Sequence, residues 1–109
     1  MDNPVNVKIR INELYDAYGT LLAEKQRRYV EYYYHDDYSL AEIATLSGVS
    51  RTAVHEQIGM AVEHLETFEA ALGLVRMKKA ARALVRRLGE LGIQDAELSR
   101  LSGEIEETE

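Results

Sequence analysis

Apolar positions recur at helical spacing through most of the chain, and each slip of phase marks a boundary. Asn3-Pro4 reads as an N-cap followed by proline at the first helical position. Val7, Ile11, Leu14, Tyr15 and Tyr18 then form the inner face of a first helix, which ends between Gly19 and Ala23. A second helix runs from about Glu24 to His35, with Leu22, Tyr29, Val30 and Tyr33 inward, and Asp36-Asp37 breaks it. Tyr38 precedes the next helix, where an aromatic can staple the entrance. Ser39 and Glu42 have the spacing of a capping box, and Leu40, Ile43 and Ala44 follow on one face. Gly48 supplies a left-handed residue, Ser50 an N-cap, and Val49, Val54 and Ile58 the apolar side of the corner and of the helix after it. Ala44 has to be small, because a bulky residue there would push two crossing helices apart. The stretch from 39 to 64 is therefore a helix-turn-helix.

Its second helix continues, since Val54, Ile58, Ala61, Leu65, Phe68 and Leu72 form one stripe. The phase slips at Gly73, and Leu74, Met77, Ala81, Leu84, Leu88 and Leu91 form another stripe, closed by Gly92. The seven-residue repeat suits helices crossing at shallow angles, within one chain or across a dimer. The prediction is an all-α fold: a five-helix bundle over 1–92 and an acidic, partly disordered tail over 93–109, with a short helical piece near Asp95 to Leu101.

At 109 residues this is one domain. The absence of cysteine removes disulfides and thiolate metal sites and fits a reducing compartment. No apolar run reaches bilayer length and Met-Asp-Asn-Pro is no signal peptide, so a cytoplasmic protein without membrane insertion is expected. The net charge of −6 works against gripping phosphate. It is unevenly spread: residues 73–91 hold six bases against one acid, and 92–109 one base against six acids. If the chain reverses at Gly73, Glu69 faces Arg76, Glu66 faces Lys79 and Glu63 faces Arg82. We therefore read the bases of the fifth helix as used internally or between protomers, in preference to a phosphate-binding face.

Candidate nucleic-acid contacts lie at the start of the second helix of the motif. Arg51 can take guanine bidentately, Thr52 can meet a thymine methyl or a phosphate, and Glu56 can accept from cytosine; His55 shares the face. Ser50 can offer its backbone N–H to phosphate. Lys25, Arg27 and Arg28 cluster at the start of the second helix of the chain, a hint that something anionic approaches. The six tyrosines from Tyr18 to Tyr38 read as a packing layer rather than a base-stacking platform. Enzymatic readings find no support: His35-Asp36-Asp37 are adjacent and read as a hydrated turn, not a metal site, and Ser47-Gly-Val-Ser50 has no preceding strand to make it a nucleophile elbow. No catalytic residue, cofactor or metal is expected.

Tyr32-Tyr-Tyr-His-Asp-Asp-Tyr-Ser-Leu-Ala-Glu-Ile-Ala44, followed by Gly48-Val-Ser-Arg-Thr-Ala-Val54, resembles the YlxM family of small bacterial helix-turn-helix proteins, as does Leu22-Ala-Glu-Lys-Gln26. That family is related in fold to region four of bacterial sigma factors. The resemblance implies a helical, dimeric regulatory protein connected, through gene neighbourhood, with the signal recognition particle pathway. Partners would then be DNA, the RNA of that particle or its proteins, and no catalytic residue is implied. The chain departs from sigma-type recognition helices, which carry several Arg and Lys where this one reads His55-Glu-Gln-Ile-Gly-Met-Ala-Val-Glu-His64. Ala23 also stands where the family usually has a capping Thr or Ser. Two functions are open: a nucleic-acid-binding regulatory protein, with Leu74, Met77, Ala81, Leu84 and Leu88 for packing or dimerisation, or a dimeric adaptor that binds only protein.

Overall fold

The computed structural model describes residues 3–107, and those are all-α. The helices are α1 (Pro4–Tyr18), α2 (Glu24–Val30), α3 (Leu40–Ser47), α4 (Arg51–Leu72), α5 (Leu74–Glu90) and α6 (Ala96–Glu107). There are six, not the expected five, because the acidic tail is helical over most of its length. Asp95 caps α6 by accepting from the Leu98 N–H at 2.7 Å. Arg82 holds α6 to α5 through a two-pronged ion pair with Glu106 at 2.8 and 2.9 Å. The last two tail positions, Thr108 and Glu109, lie outside the described residues, as do Met1 and Asp2.

The first helix begins as its residues dictate, with Asn3 Oδ1 accepting from the Val5 N–H at 2.8 Å ahead of Pro4. Ala23 gives α2 no side-chain cap. Beyond Val30 the chain widens into a π-helical turn over Glu31–His35, where the Asp36 N–H reaches back to the Glu31 carbonyl at 3.0 Å. A wider turn retards side-chain phase, which corrects one expectation: Tyr33 is at the surface and Tyr34 packs inward instead.

The long α4 joins two apolar clusters. Near its start, Val54 and Ile58 pack with Tyr29, Ile43 and Ala44. Further along, Ala61 and Leu65 pack with Ile11, Leu14, Tyr18, Leu22, Val30 and Val75. Two further expectations fail at the ends of their stripes: Val7 and Leu72 are exposed.

The α4–α5 hairpin does not form with the expected register. Glu66 pairs with Arg10 at 2.8 Å, Lys79 with Glu13 at 2.8 Å, and Arg82 with Glu106. The reason lies at the joint. Gly73 ends α4 in the left-handed region (φ 64°), and its N–H is held by the Glu69 carbonyl at 2.8 Å. The Glu69 carboxylate, 5% exposed, then caps the next helix: Oε1 accepts from the Val75 N–H and Oε2 from the Arg76 N–H, both at 3.0 Å. Tyr18 completes the joint by donating to Glu69 Oε1 at 2.6 Å while accepting from the Leu74 N–H at 2.9 Å. With its first turn satisfied this way, α5 leaves α4 and passes α1 as the first half of an arm. The molecule measures 55 × 27 × 23 Å with a radius of gyration of 17.5 Å, against about 13 Å for a compact chain of about 100 residues.

Candidate nucleic-acid interface

The corner between α3 and α4 is built by local chemistry. Ser39 Oγ accepts from the Glu42 N–H at 3.0 Å, and Glu42 Oε1 accepts from the Ser39 N–H at 2.9 Å. That backbone donor, with the Ser39 hydroxyl, holds the Glu42 carboxyl below the usual carboxylate range. Gly48 adopts φ 69°, where a side chain would be strained, and closes α3 through its N–H to the Ala44 carbonyl at 2.9 Å. Ser50 Oγ caps α4 at the Ala53 N–H, 3.0 Å away. The hydroxyl is thus occupied by its own helix.

Val54 and Ile58 anchor one side of α4, so the opposite ridge faces outward. Arg51, Thr52, His55 and Glu56 are all exposed on its first two turns. Arg51 has no ion-pair partner among the described residues. The ridge continues through Gly59 and Met60 to Glu63 and His64, also exposed. Gly59 needs no special backbone, and a Cβ placed there would meet nothing within 4 Å. No contact within the chain explains a glycine at that position.

The cluster expected on α2 divides. Lys25 and Arg28 line a groove of about 510 Å³ that runs to Leu46, Ser47 and Val49 beside the corner. Lys25 Nζ lies 5.8 Å from the centre of the Tyr29 ring, a cation–π distance, and Arg28 pairs with Glu24 at 2.9 Å. Arg27 points elsewhere, against the Tyr15 hydroxyl, which raises its pKa. Tyr15 donates in turn to Glu31. Arg27 is therefore not placed with Lys25 and Arg28. Leu46, 61% exposed, was not foreseen; it lies two residues after buried Ala44, about 200° round the helix from it, and that displacement was the available signal.

The tyrosines pack in the main. Tyr18 and Tyr29 are buried, Tyr32 and Tyr38 stack with ring centres 5.2 Å apart and planes 5° from parallel, and Tyr33 alone among the later ones is at the surface. His35 meets Tyr15 edge-on at 5.0 Å, and Asp37 pairs with Lys8 at 2.8 Å. Among the described residues no helix is long and apolar enough to cross a membrane.

Of the residues expected to pack or dimerise on the fifth helix, Ala81 and Leu88 are half-buried, whereas Leu74, Met77 and Leu84 are exposed.

Comparison with known proteins agrees with this architecture. The sequence profile of UPF0122, described as "helix-turn-helix protein, YlxM / p13 like", matches residues 5–105. A UPF0122 protein of Geobacillus kaustophilus is 44% identical over 103 residues, 91% of this chain and 94% of its own. One from another Geobacillus is 40% identical over 105 residues, 93% and 96% of the two chains. One from Streptococcus agalactiae is 52% identical over 63 residues, 58% of this chain and 57% of its own. A profile that reaches into every helix and two relatives aligned over more than nine-tenths of both chains leave one conclusion: this chain belongs to the UPF0122 family of YlxM/p13-like helix-turn-helix proteins.

Proposed function

We propose that the protein is a non-enzymatic regulatory or accessory factor that binds a nucleic-acid duplex, with the first two turns of α4 as the reading element. One observation carries the reading: the start of α4 is uncovered and presents Arg51, without a carboxylate partner among the described residues, beside Thr52 and His55. An N-terminal turn of this kind offers free backbone donors and a positive dipole end to phosphate. Lys25 and Arg28 flank the same corner and suit the neighbouring backbone, while Glu56 is placed for a base edge. Arg27 drops out of the contact set. Gly59 fits as well, since a helix pressed into a groove gains from a position without a side chain. The link to the signal recognition particle pathway that the resemblance implies makes that particle's RNA the probe to set beside duplex DNA, and the bacterial cytoplasm is the place of action we propose.

The test is fluorescence anisotropy with both probes across a salt series. With Arg51, Lys25 and Arg28 engaged, log K is expected to fall with log salt at a slope of roughly −2 to −3 per chain. Arg51→Glu is expected to weaken binding by about tenfold or more with helicity unchanged, the loss of one good base or phosphate contact. Binding that ignores salt, or an Arg51→Glu variant that binds as well as the parent, overturns the reading.

A second reading, a protein-docking module, is favoured by one observation. From 55 to 64 the ridge carries no Lys or Arg, and Met60 (45% exposed) joins Leu46 as an uncovered apolar side chain. Its signature is association that survives salt and depends on Leu46 and Met60 rather than on Arg51.

A further inference from the structure

The root of the arm formed by α5 and α6 does not close fully against α1. Only Val75 is buried in α5, and no residue of α6 is. What remains between the three helices is a cleft of about 330 Å³, at the small end of sites that take small molecules. Its apolar walls are Ala17 of α1, Leu74, Val75, Met77 and Ala81 of α5, and Ile105 of α6. The cleft stays open for a local reason. The joint at Glu69 fixes the course of α5, and the side chains Ala17 and Ala81 are too short to fill the space that this course leaves. Anything that enters is therefore enclosed by α1, α5 and α6 together.

Charge at the mouth selects the occupant. Five charged side chains line the cleft, Glu13, Asp16, Lys78, Lys79 and Arg82, and four of them are engaged. Lys79 pairs with Glu13 at 2.8 Å; Arg82, which also feels Glu13, pairs with Glu106 at 2.8 Å. Lys78 lies close enough to Glu106 to act on it as well. Asp16 differs: it is exposed and has no ion-pair partner among the described residues. We infer that this cleft binds a small organic cation, an ammonium carried on an aliphatic or aromatic body, with the body among the apolar walls and the nitrogen at Asp16. An anion of the same shape would have to displace Glu13 or Glu106 before it met a base, and would lie against Asp16 meanwhile. A neutral apolar molecule would fill the cleft but leave Asp16 unanswered. A filled cleft ties α1 to both helices of the arm, so the occupant also steadies the arm. This inference does not depend on what the helix-turn-helix binds.

Octylammonium is the probe, with octanoate as the same body of opposite charge and tetramethylammonium as the charge without the body. Each is titrated into the whole chain at constant ionic strength, below micellar concentrations, and followed by amide NMR shifts. Octylammonium is expected to saturate with a dissociation constant of roughly 1 mM. Its shifts should fall at Ala17, from Leu74 to Arg82 and at Ile105, and not at Leu46, which is exposed far from the arm and reports unspecific contact. Octanoate should bind about tenfold more weakly, and tetramethylammonium not measurably. Asp16→Asn changes an exposed side chain and leaves the fold intact; it should bring octylammonium and octanoate within about twofold of each other. Ala81→Phe should remove the binding of both by filling the cleft. The inference is overturned if octylammonium gives no saturable shift or shifts Leu46 equally. Octanoate that binds as tightly as octylammonium, or an Asp16→Asn variant that keeps the full preference, overturns it too.

Discussion

Glu69→Ala is expected to destabilise the chain by about 3 kcal/mol, most of it through the joint between α4 and α5. The carboxylate accepts from the Tyr18 hydroxyl and from the Val75 and Arg76 N–H groups, and all of these lie at a buried or half-buried site. Alanine leaves two donors of the first turn of α5 and a fully buried phenol without their acceptor, at a place that water enters poorly. The melting midpoint should drop by about 10 °C. Amide exchange should speed up in α5 and α6 before it does in α3. A loss under about 0.5 kcal/mol would mean that solvent replaces the carboxylate without difficulty, and the rigid joint would have to be abandoned.

The same group gives the fold an acid limb. Burial pushes the Glu69 carboxyl up, but Tyr18, the Val75 and Arg76 N–H groups and the charge of Arg10 pull harder, and it rests below the usual carboxylate range. A depressed folded pKa means that the unfolded chain binds more protons in the window between the two values. Stability from Glu69 is therefore complete above the unfolded value of about 4.3 and disappears as pH falls through the folded one. Glu69→Gln should flatten that part of the stability–pH curve, and an unchanged curve would assign the acid limb to other carboxyls.

How far the fold could be read in advance depended on the range of the forces involved. The helix-turn-helix was legible because its signals are local: Ser39 with Glu42, the left-handed Gly48 and the Ser50 cap act within four residues of themselves, and each takes the expected role. The buried face of α4 was legible for the same reason, up to Leu65. The course of α5 was not, because it was inferred from charges on two helices, and exposed ion pairs are too weak to choose a direction. Glu69 did carry a sign. It sits four residues after Leu65, on the face that should be apolar, and a carboxylate there needs donors. The π-helical turn that exchanges Tyr33 for Tyr34 has no such sign, since its energy comes from packing on both clusters. In the candidate interface, Thr52, His55 and Glu56 were legible as an outward ridge because their phase departs from that of Val54 and Ile58, and Arg51 was legible because it is the first residue of α4, ahead of the packed turns. The separation of Arg27 from Lys25 and Arg28 was not, because it depends on Tyr15, a helix away.

Ile43→Ala is expected to separate the two ends of the molecule. At eight residues α3 is too short to persist alone, and its only buried side chains are Ile43 and Ala44. Ile43 is fully enclosed with Tyr29, Val54 and Ile58, so truncation should cost about 3 kcal/mol, of which Ile43→Val should recover the larger part. With its main anchor gone, α3 should lose exchange protection first, and the ridge of α4 should bind its ligand more weakly although no ridge residue has changed. The arm lies beyond the other cluster, around Leu14, Tyr18 and Leu65, and its helices make no use of Ile43. Ile43→Ala should thus leave the amide-exchange protection of α5 intact wherever the chain remains folded. If protection of α5 falls together with binding while helicity persists, the corner and the arm act as one unit, and the long α4 transmits strain between them instead of holding them apart.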